Sequence, residues 1–176
     1  LQEIKSSMEK FSEHGRSTLY YKTLANVVDN KTALLPGNTA PDFTLKKPDS
    51  SLLALSSLRG KYVLLDFWSS KCGPCRMAIP HWKELYIKYR DKGFEMISIT
   101  NDPEREDWLK ALKEEKMPWL QLEDEYPVKN ANSRVGALYM RFALPTYVLL
   151  DKDGKIILYN ASEKEITDKL HSLFGV

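Results

Sequence analysis

The chain has 176 residues, 43% hydrophobic and 28% charged, which is enough apolar material for one packed domain with an appendage. Its 26 basic and 24 acidic side chains are well mixed and leave a net charge of +2, which argues against a nucleic-acid partner. No stretch approaches the roughly 18–20 apolar residues of a membrane span.

Residues 1–34 are polar, with Ile4, Met8, Phe11, Leu24, Val27 and Val28 at helical spacing. They predict one or two helices, interrupted near Gly15. The chain opens on Leu1 with no signal-peptide pattern, so this extension is expected to be the end of, or a linker from, a missing upstream region. Leu35-Pro36-Gly37-Asn38-Thr39-Ala40-Pro41 is rich in turn formers and marks the entry to a second unit, residues 35–176. Asp42–Leu45 and Leu52–Leu55 read as a short β-hairpin.

Tyr62–Trp68 is an apolar run and predicts a buried strand. After a polar turn, Cys72-Gly73-Pro74-Cys75 opens a helix that runs to about Arg90, with Ala78, Trp82, Leu85 and Tyr89 on one face. Pro80 is expected to kink it. Phe94–Thr100 is the next strand. Asp102-Pro103 reads as the start of a helix, with Asp102 capping and Trp108, Ala111 and Leu112 facing inward. Leu120 begins a short strand, and residues 121–132 read as a loop. A short helix is expected near Ser133–Met140. Thr146–Leu150 and Lys155–Tyr159 form a hairpin through Asp151-Lys152-Asp153-Gly154. A capping box at Ser162–Glu165 starts the last helix, whose Ile166, Leu170 and Leu173 share a face and which stops at Gly175. Alternation of strand and helix, followed by a late hairpin, predicts an α/β fold. Its central mixed sheet carries helices on both faces.

The two cysteines are the only ones in the chain, and they sit three positions apart at a helix N-terminus. The helix end favours a thiolate at Cys72, and Lys71 beside it adds positive charge. Cys75, one turn on, faces inward as the resolving thiol. A zinc site needs four ligands, and His14, His81 and His171 are scattered, His81 reading as a surface residue. Asp66 stands in an otherwise apolar run, so desolvation should raise its pKa. The absence of other thiols is compatible with an oxidising compartment.

Trp68 through Cys75 with its upstream strand, Pro80, Leu144-Pro145-Thr146 and the Asp151–Gly154 turn together resemble the thioredoxin superfamily. The entry Gly37–Leu45 is similar to that of TlpA/ResA-like extracytoplasmic thiol-disulfide oxidoreductases and of peroxiredoxins. The resemblance implies a thioredoxin fold over residues 35–176. It also implies that the chain reduces disulfides of exported proteins by dithiol exchange. Asp66 is implied as proton acceptor for Cys75, and Pro145 as a cis-proline whose loop pairs with extended substrate. Trp68, Lys71, Gly73, Pro74, Leu144 and Thr146 would border the substrate. Cofactors reduce to the redox-active disulfide Cys72–Cys75. The implied partners are disulfide-containing proteins and an upstream, membrane-bound thiol reductant. The implied location is periplasmic, with a membrane tether outside this segment. A thiol peroxidase, or a non-catalytic docking or metal-handling module on the same fold, stands as the alternative.

Overall fold

A computed structural model describes residues 1–126 and 133–175. Tyr62–Trp68 forms the strand β3 of the finished sheet, so the short hairpin before it supplies β1 (Thr44–Lys46) and β2 (Leu52–Ala54). Beyond β3 come α4 (Gly73–Tyr89), β4 (Phe94–Thr100), α5 (Arg105–Glu115), β5 (Leu120–Glu123), α6 (Arg134–Leu138), β6 (Thr146–Leu150), β7 (Ile156–Tyr159) and α7 (Glu163–Phe174). Ahead of the hairpin lie α1 (Gln2–Glu9), α2 (Glu13–Ser17) and α3 (Leu19–Ala33).

The seven strands make one mixed sheet in the order β2-β1-β5-β4-β3-β6-β7. β3, β4 and β5 run parallel, and the remaining pairs are antiparallel. Side chains alternate across β3, so its two faces feed two cores. Val63, Leu65 and Phe67 pack with Ile97, Ile99, Val148 and Tyr139 on one side. Leu64 packs with Trp82 and Tyr89 of α4 and with Ile166 and Leu170 of α7 on the other. A strand buried on both faces has to be an apolar run, which is why Asp66 is conspicuous in it.

Several expectations are corrected by the structure. The N-terminal segment breaks around Lys10–Ser12 and at Thr18, and Gly15 lies inside α2. Ser12 Oγ accepts from the Gly15 amide and Thr18 Oγ1 from the Tyr21 amide, so two capping side chains set the breaks. Pro80 lies inside α4, as expected. Residues 121–123 belong to β5, paired with β4, where a loop was expected; residues 127–132 of that expected loop lie outside the described residues. His81 is half-buried, its Nε2 lying 2.8 Å from Thr167 Oγ1, and so joins α4 to α7.

Other local signals appear where they were expected. Ser162 and Glu165 form a reciprocal capping box, and Gly175 closes α7 with φ 70°. Asp151 Oδ1 accepts from the amides of Asp153 and Lys155, which makes the Asp151–Gly154 segment a tight turn. Among the described residues no helix is long and apolar enough to cross a membrane.

Leu65 is fully enclosed in the central strand. Leu65→Ala should lower the unfolding free energy by about 2–5 kcal/mol in urea titration, through lost transfer energy and the cavity left behind.

Candidate active site

β3 ends at Trp68 and the chain turns through Ser69, Ser70 and Lys71 into α4. Cys72 occupies the N-cap position of that helix, and its Sγ accepts the Cys75 amide at 3.2 Å. Gly73 and Pro74 supply the first two helical positions and are exposed. Proline fits there because its missing N–H lies among the helix's unpaired donors. Cys72 and Cys75 are joined by a disulfide, with Cα atoms 5.3 Å apart. Cys72 is half-buried, whereas Cys75 is 4% exposed. Only the first sulfur is therefore open to a partner. The amide at that sulfur and the positive helix end both favour a thiolate there.

Trp68 and Cys75 pack with Trp108 and Ala111 of α5, and Leu144 closes the cluster. The Leu144–Pro145 peptide is cis. Thr146 opens β6 opposite Phe67, and its Oγ1 donates to the Ala143 carbonyl at 2.8 Å. The segment Ala143–Thr146 is thereby held beside the thiol pair. Phe142, just before it, is 84% exposed.

Lys71 does not serve the thiols directly. Its Nζ lies 2.7 Å from Asp107 Oδ2 on α5. Hydrogen bonding to that carboxylate holds the ammonium above the ordinary lysine range, and its charge is shared away from Cys72. Arg76, one turn into α4, likewise pairs with Glu114 at 2.9 Å and Glu115 at 2.6 Å. These pairs fasten the redox helix to α5.

Asp66 is 5% exposed. It lies on the same face of β3 as Leu64 and Trp68, both of which pack against residues of α4, so it sits beneath the redox helix. Burial pushes its carboxyl up from 3.8 to about 7, against the lowering effect of a hydrogen bond from Ser98, and Glu163 adds a further small push. Ser98 Oγ donates to Asp66 Oδ2 at 2.6 Å and accepts from Trp119 Nε1 at 2.7 Å. Ser98 is opposite Asp66 across the β3–β4 ladder. The only sequence signal for it is a lone hydroxyl between Ile97 and Ile99.

Asp102 has a different task from the one expected of it. α5 begins at Arg105, with Glu104 at the cap position and no side-chain cap. Asp102 is 6% exposed and turns back toward the redox turn. It accepts the Ser70 amide at 2.9 Å, Ser70 Oγ at 2.7 Å and Thr100 Oγ1 at 2.6 Å. The donors it accepts from lie in the redox turn and in β4, not in α5. The Asn101 amide also donates to the Trp68 carbonyl at 2.7 Å. The end of β4 thus clamps the turn that delivers Cys72. Among the described residues no group of three or more His, Cys, Asp or Glu is placed to hold a metal ion.

Two measurements follow from this geometry. Asp102→Ala strands the half-buried Ser70 amide and should lower the unfolding free energy by about 1–3 kcal/mol, with Asp102→Asn recovering part because it keeps an acceptor. For Asp66, the unfolded chain releases its proton near 3.8 and the folded one near about 7, so native stability falls as pH rises between those values. Asp66→Asn has no such proton. Its stability relative to wild type should therefore improve from about pH 4 to about pH 8, by at most about 4 kcal/mol in urea unfolding of the oxidised protein.

The redoxin family model matches residues 35–174. The thiol-disulfide oxidoreductase ResA of Bacillus cereus is 33% identical over 141 residues, covering 80% of this chain and 75% of that protein. ResA of Geobacillus thermodenitrificans is 31% identical over 161 residues, 89% of this chain and 88% of that one. Among solved structures, the thioredoxin domain of a thiol-disulfide oxidoreductase from Bacteroides vulgatus superposes with a TM-score of 0.71 at 30% identity, over 80% of this chain and 98% of that one. A thiol:disulfide interchange protein from Bacteroides sp. gives a TM-score of 0.72 at 30% identity, over 82% and 93% of the two chains. With an accessible cysteine bonded to a buried one at the start of α4, these likenesses establish that the chain belongs to the redoxin family of the thioredoxin superfamily and is a ResA-like thiol-disulfide oxidoreductase.

Proposed function

We propose that this chain works as a reductant of disulfides in extracytoplasmic proteins, with electrons supplied by an upstream, membrane-bound thiol protein and no bound cofactor. The observation that carries the reading is the asymmetry of the pair, Cys72 accessible at the helix N-terminus and Cys75 buried behind it. The Gly-Pro dipeptide between the cysteines is that of thioredoxin, whose potential lies near about −270 mV on the reducing side. Both cysteines of the chain lie in this one motif, which suits an oxidising compartment.

In the reduced protein the Cys72 thiolate attacks one sulfur of the substrate disulfide. A mixed disulfide forms and the first substrate thiolate leaves. Asp66, whose carboxyl is pushed up to about 7 by burial, takes the proton from Cys75. The Cys75 thiolate then attacks Cys72 Sγ, releasing the second substrate thiolate and closing the Cys72–Cys75 disulfide. Two electrons pass from the dithiol to the substrate, and the upstream thiol restores the pair by the reverse exchange. The backbone around Pro145 supports the substrate segment as a short added strand. Trp68 and Leu144 back the thiols, and Gly73 and Pro74 leave the approach to Cys72 unobstructed.

Cys75→Ser should hold a substrate protein as a mixed disulfide through Cys72, visible on non-reducing gels and released by dithiothreitol. Capture by Cys72→Ser instead would reverse the two roles. Redox titration should place the couple at about −270 mV, and a value of about −120 mV would make the protein an oxidant. In stopped-flow measurements, Asp66→Asn should remove the pH dependence of resolution around neutrality. A profile matching wild type would exclude Asp66 as the proton acceptor.

A further inference from the structure

A groove of about 320 Å³ opens beside the Ala143–Thr146 segment. Met140, Phe142, Ala143 and Tyr159 give it apolar walls, and Asn160 and Lys31 stand at its polar side. It lies at the same edge of the sheet as the redox pair. β6 starts there at Thr146, and β7, running antiparallel to it, ends there at Tyr159. Leu144 packs both on the core below the groove and on the cluster around Trp68 and Cys75. The groove therefore adjoins Leu144, which packs against the cluster that holds the cysteines.

Three features separate the groove from ordinary surface relief. Its floor is fixed, because Tyr159 Oη donates to the Tyr139 carbonyl at 2.9 Å. Met140 and Asn160 both hold left-handed backbone, at φ 44° and φ 52°. Such conformations are costly for methionine and gather at functional sites. Phe142 is 84% exposed at the rim, so a large apolar side chain is kept in water.

Lys31 is the one charged residue lining the groove among the described residues. It is contributed by α3, ahead of residues 35–174 that match the family. None of the ion pairs among the described residues involves it. We infer that the groove is a substrate subsite completed by the N-terminal extension. Its occupant is an extended segment of the substrate polypeptide, with an apolar side chain against Phe142 and Met140 and an acidic side chain against Lys31. The inference rests on the protein-disulfide reading above. It adds selection by charge, with Lys31 as the reading residue.

The last turn of α3 also favours a cation through the helix dipole, but that effect alone carries no preference among substrates. The test uses two disulfide-bridged peptides that share a leucine beside one cysteine and differ only in carrying glutamate or lysine next to it. Wild type should reduce the acidic peptide with a kcat/KM about two- to fivefold higher, the range of an exposed ion pair, and salt should erase the difference. Lys31→Glu should invert the preference and Lys31→Gln should abolish it. Phe142→Ala should lower both rates together. Equal rates for the two peptides in wild type, or a preference that survives Lys31→Glu, would overturn the subsite. So would a dimer in sedimentation that dissociates on Phe142→Ala, because a second copy would then occupy the groove. If wild type turns over a small aromatic disulfide but neither peptide, the protein-substrate reading itself falls.

Discussion

The parallel register between β3 and β4 is the constraint on which the redox end of the molecule depends. It runs from Tyr62 opposite Phe94 to Trp68 opposite Thr100. Parallel neighbours cannot be joined by a tight turn, so the chain must leave β3 at its carboxyl end and return through a helix. That exit places Cys72 at the start of α4, beyond the carboxyl ends of the parallel strands. β6 runs antiparallel to β3, so it begins where β3 ends, with Thr146 opposite Phe67. The same register brings the Leu144–Thr146 segment to the cysteine pair. Two segments about seventy residues apart in sequence thus meet for one reason.

Two buried carboxylates flank this edge and behave differently. Asp102 collects three donors and acts as a clamp on the redox turn. Asp66 has one hydroxyl donor, and its burial outweighs that bond, so its proton is held up to about 7. With a single hydroxyl donor, Asp66 is dominated by desolvation, which disfavours its charged form. Holding Asp66 in that state costs native stability at neutral pH, and such groups are characteristic of sites where protons move.

The N-terminal extension is more closely tied to the domain than its polar composition implies. Leu34 is 2% exposed in the core beneath the sheet, and the Gly37 amide donates to the Ile156 carbonyl at 2.8 Å. These contacts hold the end of α3 beside the β6–β7 edge. They bring Lys31 to the groove next to the redox pair.

Much of the fold is legible in local patterns. The apolar run at β3, the turn residues Asp151–Gly154, the capping box of α7 and the helix opened by Cys-Gly-Pro-Cys are each written in adjacent residues. So is the redox chemistry, because both thiols lie within one helical turn. The strand at 121–123 is masked by its acidic neighbours, and the breaks at Ser12 and Thr18 carry a weaker local signal than Gly15, which lies inside α2. The reacting atoms and the order of the elements can be read from neighbours along the chain, because local spacing sets both. Contacts between distant residues cannot be read that way and come from packing. Asp102 binds Ser70 instead of capping α5. Ser98 and Trp119 stand behind Asp66. Lys71 gives its charge to Asp107, and Lys31 arrives beside Phe142. A hydrogen bond or ion pair between distant residues depends on which side chains the sheet register brings face to face, and no spacing along the chain encodes that.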